Sequence, residues 1–485
     1  MGAGDSGHQD GGSGPVVAVG SSLVASRPHG LVPREPSPEG SLVSHKSSAR
    51  TTILARMPGA GEARAKVSDR EIIDAVAAIG DTIVDLLSRL VEAPTTLGNE
   101  EPGQEIMRGA FRDVLGLEPF DITLDADALR AHPYASPFSW DVSGKANVLA
   151  DWAPAGTGGR SLVLNGHIDV VGPASDKLWN TPPFEAVRDG DWLYGRGAGD
   201  MKAGLAAIVG AVLGLRSLGL APLAPIQLQS VVEEECTGNG ALQCVLSGLR
   251  PDAAVIPEPY PGAIPLRQVG VLWFHIDVAG TPAHVAEAGR GVNAIEAANA
   301  IVPELHRLED ALNESPPVPY DELEHPINFN VGVISGGDWP STVAAECTLS
   351  CRIGSYPGTK VEELKARVED AVARAAHANP YLAEHPPTVR YDGFSAEGTV
   401  LPENEPVVLA LSEAFARVAG SPAVTTLTTA TTDTRAFIRA GIPAACIGPL
   451  AESIHGVDER VFLPSVVQTA QVLSVFVRDW CGLTT

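Results

Sequence analysis

Residues 161–171 read S-L-V-L-N-G-H-I-D-V-V. The first half, 161–165, is a short run of Leu and Val, the composition of a strand buried on both faces of a parallel sheet. It leads into His167 and Asp169, an H-x-D pair. The pattern returns twice: 227–232 runs into Glu233, Glu234 and Glu235, and 253–256 is followed by Glu258. Helical patterns separate these runs, at 201–215 and 240–249. Strands alternating with helices predict an α/β fold whose mostly parallel sheet is flanked by helices. Open sheets of this class hold their sites outside the carboxyl ends of the strands, where these polar residues fall.

The organisation changes on either side. Residues 1–65 are rich in Gly, Ser, Pro and Ala without periodicity and are expected to be a disordered extension. Met57 offers an alternative start. Order is expected from Ser68, which opens a capping box with Glu71. Apolar residues then recur at helical spacing through Ile72, Val76, Ile79, Ile83, Leu86 and Leu87. From 269 to 388 the pattern becomes α+β: strands at 269–279, 327–334 and 343–353, a long helix at 293–312 and another at 361–376. The tail, 389–485, returns to α/β, with strands at 389–391 and 444–447 and helices at 406–419 and 465–480. It carries His455. If His455 joins the residues of 66–268, then 269–388 is an insertion into one sheet domain.

The totals narrow the function. At 485 residues the chain exceeds one simple core. A net charge of −25 and 5% aromatic residues oppose binding to nucleic acid or to an anionic membrane surface. The longest apolar run, 205–215, has eleven residues, against roughly 18–20 for a membrane span. The six cysteines form no C-x-x-C pair and lie in or near apolar runs. Buried reduced thiols and a cytoplasmic location are the expectation.

Seven residues share one chemistry. Besides His167, Asp169, Glu234, Glu235 and Glu258 they include Asp200 in Y-G-R-G-A-G-D-M-K-A-G and His455 in I-G-P-L-A-E-S-I-H-G. Histidines and carboxylates without thiolates suit zinc, cobalt or manganese. A spare carboxylate beside such ligands can serve as a base toward water, so a hydrolase is expected. Taken singly, each motif has an ordinary reading. H-x-D can be a polar turn, Asp200 a helix cap before Met201, and Glu233–Glu235 a solvated edge. Like charges packed at a strand end are costly, however, unless cations neutralise them. Lys202 reads as a surface residue of the first helical turn, and Cys236 as packing.

Over residues 70 to 485 the chain resembles the two-zinc amidohydrolase and exopeptidase family that includes carboxypeptidase G, acetylornithine deacetylase, succinyl-diaminopimelate desuccinylase and aminoacylase. Five motifs carry the resemblance, in family order. It implies two divalent ions per chain, zinc first, with cobalt or manganese as alternatives. His167 and Glu258 would bind one ion, Glu235 and His455 the other, and Asp200 would bridge both. Glu234 would be the general base and acid. Asp169 would orient His167 through its other ring nitrogen. In G-T-P-A-H-V-A, His284 resembles the lid histidine that reaches a partner subunit's site and stabilises the oxyanion. The resemblance thus implies a catalytic domain (66–268 and 389–485), an inserted lid and dimerisation domain (269–388), and a homodimer.

The implied reaction is hydrolysis of the amide bond of an N-acyl amino acid. The alternatives are a dipeptidase or aminopeptidase and, in another class, a metal-dependent binding protein without turnover. Departures from the family fall on the substrate side. Ser341 stands where asparagine is common. Gly354 stands where several relatives have arginine, with Arg352 close by. In the Thr-rich run, Thr432, Asp433 and Arg435 resemble a G-T-D-A-R-like loop. Arg435 reads equally as a carboxylate ligand and as a helix-surface ion pair.

Overall fold

The three apolar runs lie side by side in one sheet. The computed structural model describes residues 67–484; the expected extension 1–65, with Met57, lies outside the described residues. In chain order, the main strands of the two largest sheets are β1 (Pro119–Thr123), β2 (Ala146–Trp152), β3 (Leu162–His167), β4 (Ile226–Val231), β5 (Ala253–Ile256), β6 (Gly270–Ala279), β7 (Phe329–Gly336), β8 (Glu346–Ser355), β9 (Thr388–Arg390) and β10 (Ala444–Cys446). The first sheet has the order β1-β2-β4-β3-β5-β10. Strands β4, β3, β5 and β10 are parallel, and β1 and β2 are antiparallel additions at the edge opposite β10. The α/β expectation therefore holds. Every residue of β3 and β5 is buried, which is why those runs are continuously apolar rather than alternating.

Helices α1 (Asp69–Ala77), α2 (Gly80–Glu92), α3 (Ala203–Ser217), α4 (Val302–Asn313), α5 (Val361–Ala378), α6 (Pro406–Ala419) and α7 (Leu463–Cys481) complete the frame. The Ser68–Glu71 capping box forms as expected. The helical spacing from Ile72 to Leu87 is split between α1 and α2, whose second member starts at Gly80, a poor helix former. The stretch Ala198–Ser217, which includes α3, is apolar and long enough to cross a membrane, but 89% of it is buried inside the protein, as in a core helix.

A second buried cluster belongs to the insert. Strands β7-β8-β6-β9 form an antiparallel sheet. On β6, Leu272, Phe274, Ile276 and Val278 enter the core with Leu305 of α4 and Val368 of α5, while Trp273 and His275 take the opposite face. The expected helix 293–312 is broken into Ala294–Asn299 and α4. Pro303, in the first turn of α4, has no N–H to continue the earlier helix and would crowd the carbonyl four residues back. The short strand expected at 389–391 appears as β9, but it pairs with β6 of the insert and not with the tail.

Candidate metal centre and active site

The carboxyl ends of three neighbouring strands supply most of the site. His167 ends β3, Glu234 and Glu235 follow β4, and Glu258 follows β5. A small sheet brings in the rest. Strand Arg460–Phe462 lies between Ala451–Glu452 and Trp192–Tyr194, so the loop with His455 and the loop leading to Asp200 emerge together.

Asp200 is central. His167, Asp200 and Glu258 offer one group of donor atoms, and Asp200, Glu235 and His455 a second; within each group the atoms lie within 4.8 Å of one another. His167 Nε2 is 3.1 Å from Asp200 Oδ1 and 3.8 Å from Glu258 Oε1. His455 Nε2 is 3.4 Å from Asp200 Oδ2 and 3.0 Å from Glu235 Oε2. The two oxygens of one carboxylate thus face the two histidines. The five residues assigned to metal from the sequence are brought together.

The electrostatics call for cations. Burial opposes the charged form of both histidines. It is outweighed at His167 by its bond to Asp200 and the nearby carboxylates, so its pKa rises well above the usual value. At His455 the bonds to Asp200 and Glu235 carry the pKa to about 11. Burial, together with Asp200 and Glu234, pushes Glu258 well up. A buried cluster that draws protons onto its histidines is one whose negative charge lacks compensation. Its nitrogen and oxygen donors fit divalent ions.

Glu234 stands beside the ligands and is not one of them. It is buried, and its Oε1 has no hydrogen-bond partner. Burial, reinforced by Asp433 and Glu235, pushes its pKa well above the carboxylate range. Asp169 meets the expected ring nitrogen of His167, through its backbone carbonyl. His167 Nδ1 lies 2.9 Å from the backbone carbonyl of Asp169 and 3.8 Å from its carboxylate. That carboxylate instead accepts the amide N–H groups of Glu234, at 3.2 Å, and Glu235, at 3.0 Å. Asp169 therefore positions three site residues at once. His284 is exposed, its Nδ1 accepting from Ala286 N at 3.1 Å within its own loop. It is not brought to the cluster within the chain.

Three charged residues differ from their sequence reading. Lys202 is fully buried rather than on the surface. Its ammonium reaches Ala93 O at 2.8 Å, and burial lowers its pKa to about 7. Arg435 is buried too, so the surface ion pair is excluded; it donates to Thr237 O at 2.9 Å. Glu233 is no solvated edge. It sits fully buried at φ +64, accepting from Trp140 Nε1, Lys145 Nζ and Thr237 Oγ1. Lys145 also bonds Glu100 at 2.8 Å. Lys145→Met leaves two buried carboxylates without their cation and is expected to destabilise the chain by about 3 kcal/mol in denaturant unfolding. A change below about 1 kcal/mol would remove Lys145 from this role.

Glu459 escaped the sequence reading. Its Oε1 accepts from Gly199 N and Asp200 N at 3.0 and 3.1 Å; its Oε2 accepts from Gly197 N at 3.0 Å and Arg196 Nη1 at 2.5 Å. Gly197 turns at φ +78, where a Cβ would lie 2.4 Å from Val170. One carboxylate thereby fixes the loop that presents Asp200. The only signal was its place four residues after His455. Glu459→Gln sets an NH2 against N–H donors in either orientation. Metal affinity is expected to fall roughly 10- to 100-fold in a chelator competition; an unchanged affinity would show that the loop holds without it.

A cleft of about 640 Å³ opens beside these groups, lined by Glu234, Glu235 and His455 on one side and by Trp273, Asn330 and Arg352 of the insert on the other. Arg352 has no carboxylate within ion-pair distance among the described residues; its bond to Asn328 O is long, at 3.4 Å.

The sequence model described as peptidase family M20/M25/M40 matches residues 163–479. An N-formyl-4-amino-5-aminomethyl-2-methylpyrimidine deformylase of Halalkalibacterium halodurans is 32% identical over 345 residues, 67% of this chain and 80% of that protein. An acetylornithine deacetylase of Photorhabdus laumondii is 28% identical over 343 residues, 70% of this chain and 84% of that protein. The dipeptidase Dug1p of Saccharomyces cerevisiae shares the fold with a TM-score of 0.69 at 13% identity, over 85% of this chain and 98% of its own.

Proposed function

We propose that this chain, which belongs to peptidase family M20/M25/M40, is a metal-dependent deacylase that cleaves the amide bond of an N-acyl amino acid. The observation that carries the reading is the shared Asp200 between two donor groups, with the unpartnered Glu234 beside them. The two curated relatives, named for removing formyl and acetyl groups, support a small acyl group. Arg352, a guanidinium without an anionic partner, supports a carboxylate on the substrate.

His167 and Glu258 would hold one ion, Glu235 and His455 the other, and Asp200 both. Zinc is the first expectation, with cobalt or manganese as alternatives. Ions held there would supply Lewis acidity toward water and the amide carbonyl. Glu234 Oε1 takes the proton of the attacking water and returns it to the leaving amine. Asp169 keeps Glu234 and Glu235 in place through their amides while its carbonyl holds the His167 ring.

A homodimer completes this reading. The outer edge of β7 is unpaired in its sheet, and Val333, Ile334 and Trp339 near it are 59%, 56% and 68% exposed. A second copy seated there would give the exposed His284 a role as oxyanion donor in its neighbour. The six buried free thiols support a reducing compartment such as the cytoplasm.

The test is amine release from N-formyl and N-acetyl amino acids and from dipeptides, by chain loaded with zinc or cobalt. Turnover of the acylated compounds is expected. Turnover confined to substrates with a free amino terminus would replace the deacylase by a dipeptidase, and metal binding without any turnover would leave a binding protein.

A further inference from the structure

The far wall of the cleft is one face of the insert's sheet. In the strand register Trp273 of β6 stands opposite Arg352 of β8, and Arg352 opposite Asn330 of β7. The three form a single cross-strand row, and all of them line the cleft. Val171 and Val271 add apolar surface to the same cleft.

The indole is fixed without help from a ligand. Trp273 N donates to Phe394 O at 2.7 Å, and the two rings meet edge to face with centroids 5.5 Å apart. The Arg435 guanidinium lies over the Phe394 ring, 4.7 Å from its centroid, so this second ring has a partner of its own. Gly393 takes φ +86, and a Cβ there would lie 2.3 Å from indole Cε3. A side chain at 393 would push the ring from its place. A rigid aromatic face is thus presented in the same cleft as Glu234, Glu235 and His455, next to a cation that lacks an anion. The indole N–H has no protein acceptor among the described residues.

We propose that Trp273 determines specificity, and that the favoured substrates are N-acyl derivatives of aromatic amino acids, with the ring laid on the indole and the carboxylate on Arg352. The proposal rests on the deacylase reading and narrows it. Directly opposed residues on neighbouring strands have Cβ atoms about 5 Å apart. An amino acid's carboxylate and the ring of its side chain diverge from one carbon, over a span of that order. A cleft of about 640 Å³ also leaves room for a ring beyond a small acyl amino acid.

The experiment compares kcat/KM for N-formyl- and N-acetyl-phenylalanine, -leucine and -alanine in the metal-loaded chain and in Trp273→Ala and Trp273→Phe. The wild type is expected to favour phenylalanine over leucine by about tenfold. Trp273→Ala should erase that preference, mainly through KM, and Trp273→Phe should retain most of it. Equal rates for phenylalanine and leucine, or a preference that survives in Trp273→Ala, would overturn the proposal and leave the deacylase standing. Should no amide turn over, the deacylase reading itself fails. Calorimetric titration with N-acetylphenylalanine against N-acetylleucine then decides ring recognition: tighter phenylalanine binding that Trp273→Ala removes supports it, and equal binding ends it.

Discussion

Glu234→Ala is expected to lower turnover by roughly a thousand- to ten-thousandfold while leaving metal content unchanged. The separation follows from geometry. The two donor groups are complete without Glu234, whose Oε1 is buried and makes no hydrogen bond. The same substitution is expected to leave the metal-free chain as stable as the wild type, or more stable by about 1 kcal/mol, because it removes a buried carboxylate that burial and neighbouring charge already disfavour. Activity should therefore fall with no loss of stability. Activity within about tenfold of wild type would remove Glu234 from proton transfer.

Asp200→Ala should do the reverse, losing metal first and activity as a consequence. Asp200 alone is common to both donor groups, and its two oxygens face His167 and His455. Without it each group keeps one histidine and one glutamate, short of the three protein ligands usual at a catalytic ion. Bound zinc is expected to fall from two ions per chain toward none, and turnover by about a thousandfold or more, roughly 4 kcal/mol of transition-state stabilisation. Element analysis after gel filtration checks it, and zinc content equal to wild type would remove Asp200 from the bridge.

Much of this site was legible because a parallel sheet writes itself plainly. Strands buried on both faces must be continuously apolar, so a polar residue at their carboxyl ends stands out, as His167, Glu234 and Glu258 do. What was not legible depends on partners far along the chain. Glu459 looks like one more acid in an acidic protein, and its meaning lies in backbone N–H groups some 260 residues earlier. Lys202 has the sequence context of a surface helical turn, yet its ammonium reaches a carbonyl at Ala93 inside the core. Asp169 was placed against the right ring, but spacing does not tell that its carbonyl makes that contact while its carboxylate holds the amides of Glu234 and Glu235. Trp273 and His275, two apart in the strand expected at 269–279, share a face by the strand's period, but the sequence does not tell that this face lines the cleft.

The proposed hydrolysis needs two ions sharing Asp200, and anomalous diffraction from zinc-loaded crystals at the zinc edge tests this most directly. Two peaks roughly 3.5–4 Å apart are expected, one by His167 and Glu258, the other by Glu235 and His455, with Asp200 between them. A single peak, or peaks away from these five residues, would contradict it.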